Sequence, residues 1–340
     1  MKKTNSTKIL CRPAFGTLTN NIGTIRQKEE LNKTKIPGKE NGVNFAKINK
    51  PAEKNTLLRK IERRYLNASE ENLLDKTIFE DESQQEYIES LFSEELKYIL
   101  QGNFIEQTVL TVHTRYMVLN WMFKIQQYLK IEENEFYLAI NIFDSTLHTC
   151  ADFDEATLLA ITSLWVVHKF TNNAVHIPAS ELIPWLNKKY SKKDIATTER
   201  KILSIINFAI WRPEPSIFLH HFLRKIKHEK SEIYFGSFFV CDCISMFPKF
   251  SSVQASFIAA LSLYTSLVVL KRDTQQFLNS VKNIYNEELL KGSCKSCLKK
   301  ISQIRQNEHQ EPFGKYSSLK RMNIAEYFKK CEEVLNTLEN

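Results

Sequence analysis

The sequence predicts an all-α protein in which a basic, disordered N-terminal tail precedes two tandem five-helix repeats. Three observations lead there. The 340 residues hold only 8 glycines and 9 prolines, too few for turn-rich all-β folds or glycine-rich nucleotide folds. From Asp81 onward apolar residues recur at helical spacing. Trp211, Pro213 and Pro215 then break that pattern, because two prolines so close cannot lie inside one helix. A second run of similar length follows.

Residues 1–70 form the tail. They hold sixteen Lys or Arg against six acids, a net +10, while the remaining 270 residues sum to −2. With few aromatics and no apolar periodicity, such a segment cannot bury enough surface to offset its chain entropy, so disorder is expected. The basic excess is confined to it. The body is therefore nearly neutral, and no direct nucleic-acid contact is expected of it.

The first repeat spans 81–212. Its opening helix, 81–100, sets Tyr87, Leu91 and Leu100 among acids as one apolar edge. Residues 111–130 turn Val118, Leu119, Trp121, Met122, Ile125 and Leu129 inward, and 132–148 do the same with Phe136, Leu138, Ala139, Ile142 and Phe143. Asp154 is placed to N-cap a very apolar helix ending near Phe170. A short helix is expected around Ser180 to Lys189. Ser191 and Asp194 have capping-box spacing and open a fifth helix that reaches Asn207. The second repeat, 213–340, should hold helices near 215–228, 231–247, 251–270, 273–288 and 318–337. A polar loop is expected over 292–316, around Gly292, Pro312 and Gly314.

Several function classes drop out. No glycine pattern forms either phosphate-cradling loop, and the histidines contain no zinc-protease pair. No cofactor, metal or catalytic residue is expected. Seven cysteines, an odd number without a secretory signal, point to a reducing compartment, hence nucleus and cytoplasm. Cys294 and Cys297 lack the two further ligands a zinc site needs and read as thiols one helical turn apart. The longest apolar stretch, Phe257 to Leu270, is broken by Ser262, Thr265 and Ser266. It falls short of the ~20 residues of a membrane span, so no membrane partner is expected.

Two strings in the tail stand out. Arg12, Phe15 and Asn20 fall at the first, fourth and ninth places of a pattern that resembles the destruction box of mitotic regulators, with Phe15 in place of leucine. Lys39, Glu40 and Asn41 form a KEN box between Gly38 and Gly42. Both are extended peptides of the kind a preformed receptor reads: charged anchor, apolar plug, polar latch. The resemblance implies recognition by the anaphase-promoting complex and ubiquitin-dependent destruction.

The body resembles the cyclin family. The string from Thr114 to Trp121 is similar to the M-R-x-I-L-V-D-W-L that opens the cyclin box, and Leu138 to Leu147 to the L-A-V-N-Y-L-D-R-F-L after it. Leu164 to Phe170 stands where cyclins have L-L-A-S-K-F-E-E, with Thr171 and Asn172 replacing the two acids. Thr198, Glu199, Ile202, Leu203, Phe208, Pro213, Pro215, Phe218 and Leu219 follow the next signature, and Pro248 to Tyr264 resembles that of a second box. With the two tail motifs, the chain looks most like a divergent B-type (mitotic) cyclin.

Arg115 and Asp144 lie in apolar helices, where an unpaired charge costs several kcal/mol, so the two should face each other. The resemblance implies the same pair, locking the first two helices of the box. It also implies that Lys169 and Glu199, otherwise readable as ordinary exposed charges, grip the regulatory helix of a cyclin-dependent kinase. A third implied site is a substrate-docking patch of Met117, Val118 and Trp121, with Lys124 where the family often carries an acid. By periodicity alone that stripe reads equally as core packing. Kinase substrates are then further partners, and the chain itself is no enzyme. The alternatives are a cyclin-fold transcription regulator and a helical interaction scaffold. A general transcription factor of this fold would need an N-terminal zinc ribbon, and only Cys11 lies in the first 149 residues.

Overall fold

The computed structural model describes residues 83–171, 177–186, 189–228, 231–306 and 310–339. The tail, with Arg12, Phe15, Asn20, Lys39, Glu40 and Asn41, lies outside them, as does Asn172. Among the described residues every regular element is helical.

The first repeat is built from α1 (Ser83–Glu94), α2 (Val112–Leu129), α3 (Glu133–Thr146), α4 (Phe153–Thr171) and α5 (Lys192–Ile205). Thr111 and Thr114 cap α2 reciprocally, and Lys130 ends it in the left-handed conformation with φ 55°. The expected box at α5 is present: the Ser191 N–H donates to Asp194 Oδ2 at 2.8 Å and the Asp194 N–H to Ser191 Oγ at 3.4 Å. At α4 the cap is Asp152, whose Oδ1 accepts the Glu155 N–H at 2.8 Å, and not Asp154. Asp154 lies inside the first turn and pairs with Lys189. The short helix expected over 180–189 is two 3₁₀ turns, Ala179–Glu181 and Ile183–Leu186. Pro184 lies inside the second turn, where it leaves no N–H for a longer helix.

The second repeat holds α6 (Pro215–Lys225), α7 (Glu232–Ser245), α8 (Ala255–Val269), α9 (Gln275–Val281) and α10 (Glu287–Gln306), followed by α11 (Glu311–Tyr316), α12 (Ile324–Phe328) and α13 (Cys331–Glu339). Here the sequence reading needs correction. The polar loop expected over 292–316 is the longest helix described, with 20 residues, plus α11. The helix expected over 273–288 stops at Val281, and that over 318–337 is two short helices after a 3₁₀ turn. Met322 and Asn323, with φ of 56° and 50°, separate the 3₁₀ turn from α12.

The apolar helices α4 and α8 sit at the centre of their repeats, α4 against α2, α3 and α5 and α8 against α6, α7 and α10. Gly236 of α7 permits that approach, since a Cβ there would collide with Ser266 Oγ of α8. The repeats join where α3 packs on α6 and where α11 wedges between α2 and α7.

Glu214 caps α6 at the junction, accepting from the Ser216 N–H at 2.7 Å and the Ser216 hydroxyl at 2.6 Å. Burial without a cation pushes its pKa from the ordinary 4.5 up to about 7. The folded state thus holds a proton that the unfolded chain has already released. Stability is therefore expected to fall as pH rises through the window from 4.5 to about 7, by up to about 3 kcal/mol. Glu214→Gln should flatten that slope in urea unfolding at pH 5 and pH 8. An unchanged slope would show that Glu214 is ionised in the fold.

Candidate functional site

Lys169 lies in the last turn of α4, where the helix's partial negative end favours a cation. Its ammonium donates to Glu199 of α5 and sits 3.5 Å from the centroid of the Trp165 ring, one turn back. A carboxylate and a π face therefore hold one cation. Both side chains keep access to solvent, with 30% and 21% exposure. The pair is preformed yet reachable.

Glu135 of α3, only 2% exposed, fixes the end of α4 from beneath. Its Oε2 lies 3.1 Å from His168 Nδ1, and its other oxygen accepts from the Thr171 hydroxyl. The residues on either side of Lys169 are thus anchored to the next helix. Apolar surface flanks the pair along the chain: Phe170 is 49% exposed and Phe208, just past α5, 73%. Asn207 and Phe208 both have positive φ, 49° and 60°. Such backbone costs an L-residue about 1–2 kcal/mol, and here it holds a phenyl ring in water.

The first repeat also holds a buried charge hub. Arg115 and Asp144, both without exposed side-chain area, are bonded bidentately, Nε to Oδ1 at 2.8 Å and Nη2 to Oδ2 at 2.6 Å. Arg115 Nη1 also donates to the Met246 carbonyl at 3.1 Å, and Ser251 Oγ to Asp144 at 2.6 Å. The pair reaches beyond α2 and α3 to tie the second repeat to the first.

The comparisons with known proteins agree with this architecture. The cyclin N-terminal domain family matches residues 86–211 and the cyclin C-terminal domain family residues 213–329. The chain belongs to the cyclin family. Its relatives include cyclin-B2-1 of Oryza sativa, 22% identical over 196 residues, which covers 56% of this chain and 46% of that protein. The G2/mitotic-specific cyclin CYB1 of Candida albicans is 22% identical over 249 residues, 71% of this chain and 50% of that one. This cyclin therefore spans about half the length of the curated relatives it matches. A viral cyclin from herpesvirus saimiri shares the fold, with a TM-score of 0.55 and 16% identity over 63% of this chain and 96% of that one.

The expected docking patch of this cyclin is less open than its sequence suggested. Met117 is half-buried, but Val118 has no exposed surface and Trp121 3%. Val118, Met122 and Ile125 share the inward stripe of α2, so Val118 is core and not contact surface. Lys124 is half-buried and pairs with Glu311 at 3.3 Å, and Asn120 Oδ1 accepts the Glu311 N–H at 3.1 Å. The C-terminal segment thus abuts the end of the patch.

Other residues of weight escaped the sequence reading. Lys315, 5% exposed, bonds the fully buried Asp242 at 2.7 Å and reaches Glu133 at 3.3 Å. Tyr137 donates to the same Asp242 at 2.6 Å. This second network clamps α11 to α3 and α7. Among the described residues no group of three or more His, Cys, Asp or Glu is placed to hold a metal ion, and no helix is long and apolar enough to cross a membrane. Cys294 and Cys297 are buried free thiols on α10, and burial pushes Cys294 up to about 11, which leaves it unreactive near neutrality.

Proposed function

We propose that this cyclin is the non-catalytic regulatory subunit of a cyclin-dependent serine/threonine kinase and drives entry into mitosis. The observation that carries the reading is the preformed Lys169–Glu199 pair, two charges from separate helices brought to one accessible place, with the exposed Phe170 next to Lys169 in the chain. Cyclin family membership supplies the kinase, and relatives that are G2/mitotic-specific supply the stage. The pair engages the polar ends of the kinase's regulatory helix. Binding one position of that helix better than the other shifts the kinase toward its active state. The destruction box and KEN box of the tail hand the protein to the anaphase-promoting complex for ubiquitin-dependent removal. It works in nucleus and cytoplasm.

The reading is tested by mixing the full chain with a purified mitotic cyclin-dependent kinase. Co-elution on a sizing column and a rise in histone phosphorylation are expected. Separate elution with basal activity would refute it.

Substrate docking through the α2 patch should be weak. An Arg-x-Leu substrate would meet Lys124, while Glu311, the acid beside it, is already engaged by that lysine. Lys124→Glu removes the repulsion and frees Glu311, so fluorescence polarisation should show an Arg-x-Leu peptide binding up to about fivefold tighter. Micromolar binding that the substitution fails to improve would contradict this.

A further inference from the structure

A cleft of about 360 Å³ opens between the repeats, where α3, the 211–214 linker, α6 and α7 meet. Its floor is aromatic. The Tyr234 and Phe238 ring centroids lie 4.7 Å apart, and the His220 ring is 5.9 and 5.3 Å from them. Trp211 stands at the cleft, 39% exposed.

The walls carry three carboxyl groups, Glu132, Glu133 and Glu214, and one guanidinium, Arg212. These charges do not cancel one another. Glu133 is satisfied by Arg321 at 3.0 Å and Lys315 at 3.3 Å. Arg212 is spent on α3, donating to Asn141 Oδ1 at 2.5 Å and Ser145 Oγ at 2.7 Å. Glu214 is 6% exposed and hydrogen-bonded by Ser216, yet among the described residues no cation pairs with it. Glu132 stands exposed at the rim.

An aromatic floor, a buried Glu214 carboxyl group without a counter-ion, which a bound cation would hold ionised, and the exposed Glu132 carboxylate together select a flat cation. We propose that this cleft binds the arginine side chain of a partner peptide, its guanidinium stacked on the aromatic floor and bonded to Glu214 and Glu132. Lysine satisfies the charge but neither stacks nor donates in a fork, so arginine is preferred. The proposal uses neither Lys169 nor Glu199 and is independent of the kinase reading.

The test uses the full chain labelled with 5-fluorotryptophan, its Trp211 resonance assigned with Trp211→Phe. The probe is acetyl-arginine methylamide, with the citrulline and lysine analogues as controls. A saturable shift confined to Trp211 is expected with arginine, a weaker one with lysine and none with citrulline. Glu132→Gln should weaken binding about threefold, as for an exposed charge, and Glu214→Gln about tenfold, as for a buried charged bond. If Glu214→Gln does not fold, the exposed Glu132→Gln carries the comparison. No saturable shift, a shift that citrulline reproduces, or binding untouched by the substitutions overturns the proposal.

Discussion

The Lys169→Ala/Glu199→Ala variant is expected to keep its fold and lose its hold on a cyclin-dependent kinase. The two effects separate because the pair is partly exposed, at 30% and 21%. Removing an exposed ion pair costs a protein at most about 1 kcal/mol. Removing charges that a partner desolvates typically costs about 2–5 kcal/mol each, thirtyfold or more in affinity. Calorimetric titration of the kinase would read the loss, and histone phosphorylation would fall with it at fixed concentrations. Unchanged unfolding by urea would show that the fold is intact. Kinase affinity within a factor of about two of wild type, well under 1 kcal/mol, would mean that the pair serves this chain alone.

The second large effect is on stability. Arg115→Ala should destabilise the body by about 3–5 kcal/mol, because it leaves Asp144 charged and buried without its partner. Asp144 would retain only Ser251 from the hub, and the Met246 carbonyl would lose its tie to the first repeat. The double replacement Arg115→Met/Asp144→Leu should recover much of the loss, since it strands no charge. Urea unfolding of the single and the double variant would measure this directly. A single variant within about 1 kcal/mol of wild type would show that water reaches the hub.

The legible and illegible parts of the chain differ for physical reasons. Arg115 and Asp144 could be paired from sequence because each lies in an apolar helix that offers no other way to satisfy a charge. Ser191 and Asp194 were legible because a capping box is local. The longest helix among the described residues, α10, was not. Its inward stripe runs Leu290, Cys294, Cys297, Leu298, Ile301 and Ile304, all buried, and two of those six positions are thiols, which a count of aliphatic side chains alone passes over. Counted as small apolar residues, the two thiols complete a helical face. Gly292, which had argued for a loop, meets nothing within 4 Å of an added Cβ and is merely tolerated there.

Long-range polar contacts were the least legible. Lys315 and Asp242 are 73 positions apart, and only the folded chain shows that α11 brings one to the other. Glu135 is the third residue of α3 and accepts the Glu132 N–H at 3.4 Å, a local contact. Its grip on the end of α4 depends on how α3 and α4 pack. For the docking stripe the ambiguity was real: helical spacing fits both core and surface, and burial assigns Val118 to the core.

The central claim, that Lys169 and Glu199 face a kinase, is tested most directly by exchanging their charges. The variant Lys169→Glu/Glu199→Lys keeps an ion pair between α4 and α5 while inverting what a partner meets. The account predicts unfolding in urea within about 2 kcal/mol of wild type, since position 169 loses the Trp165 face and the favourable helix end, together with loss of kinase binding and stimulation. Wild-type kinase binding by the exchanged pair would contradict it, because the pair would then matter only to the cyclin's own packing.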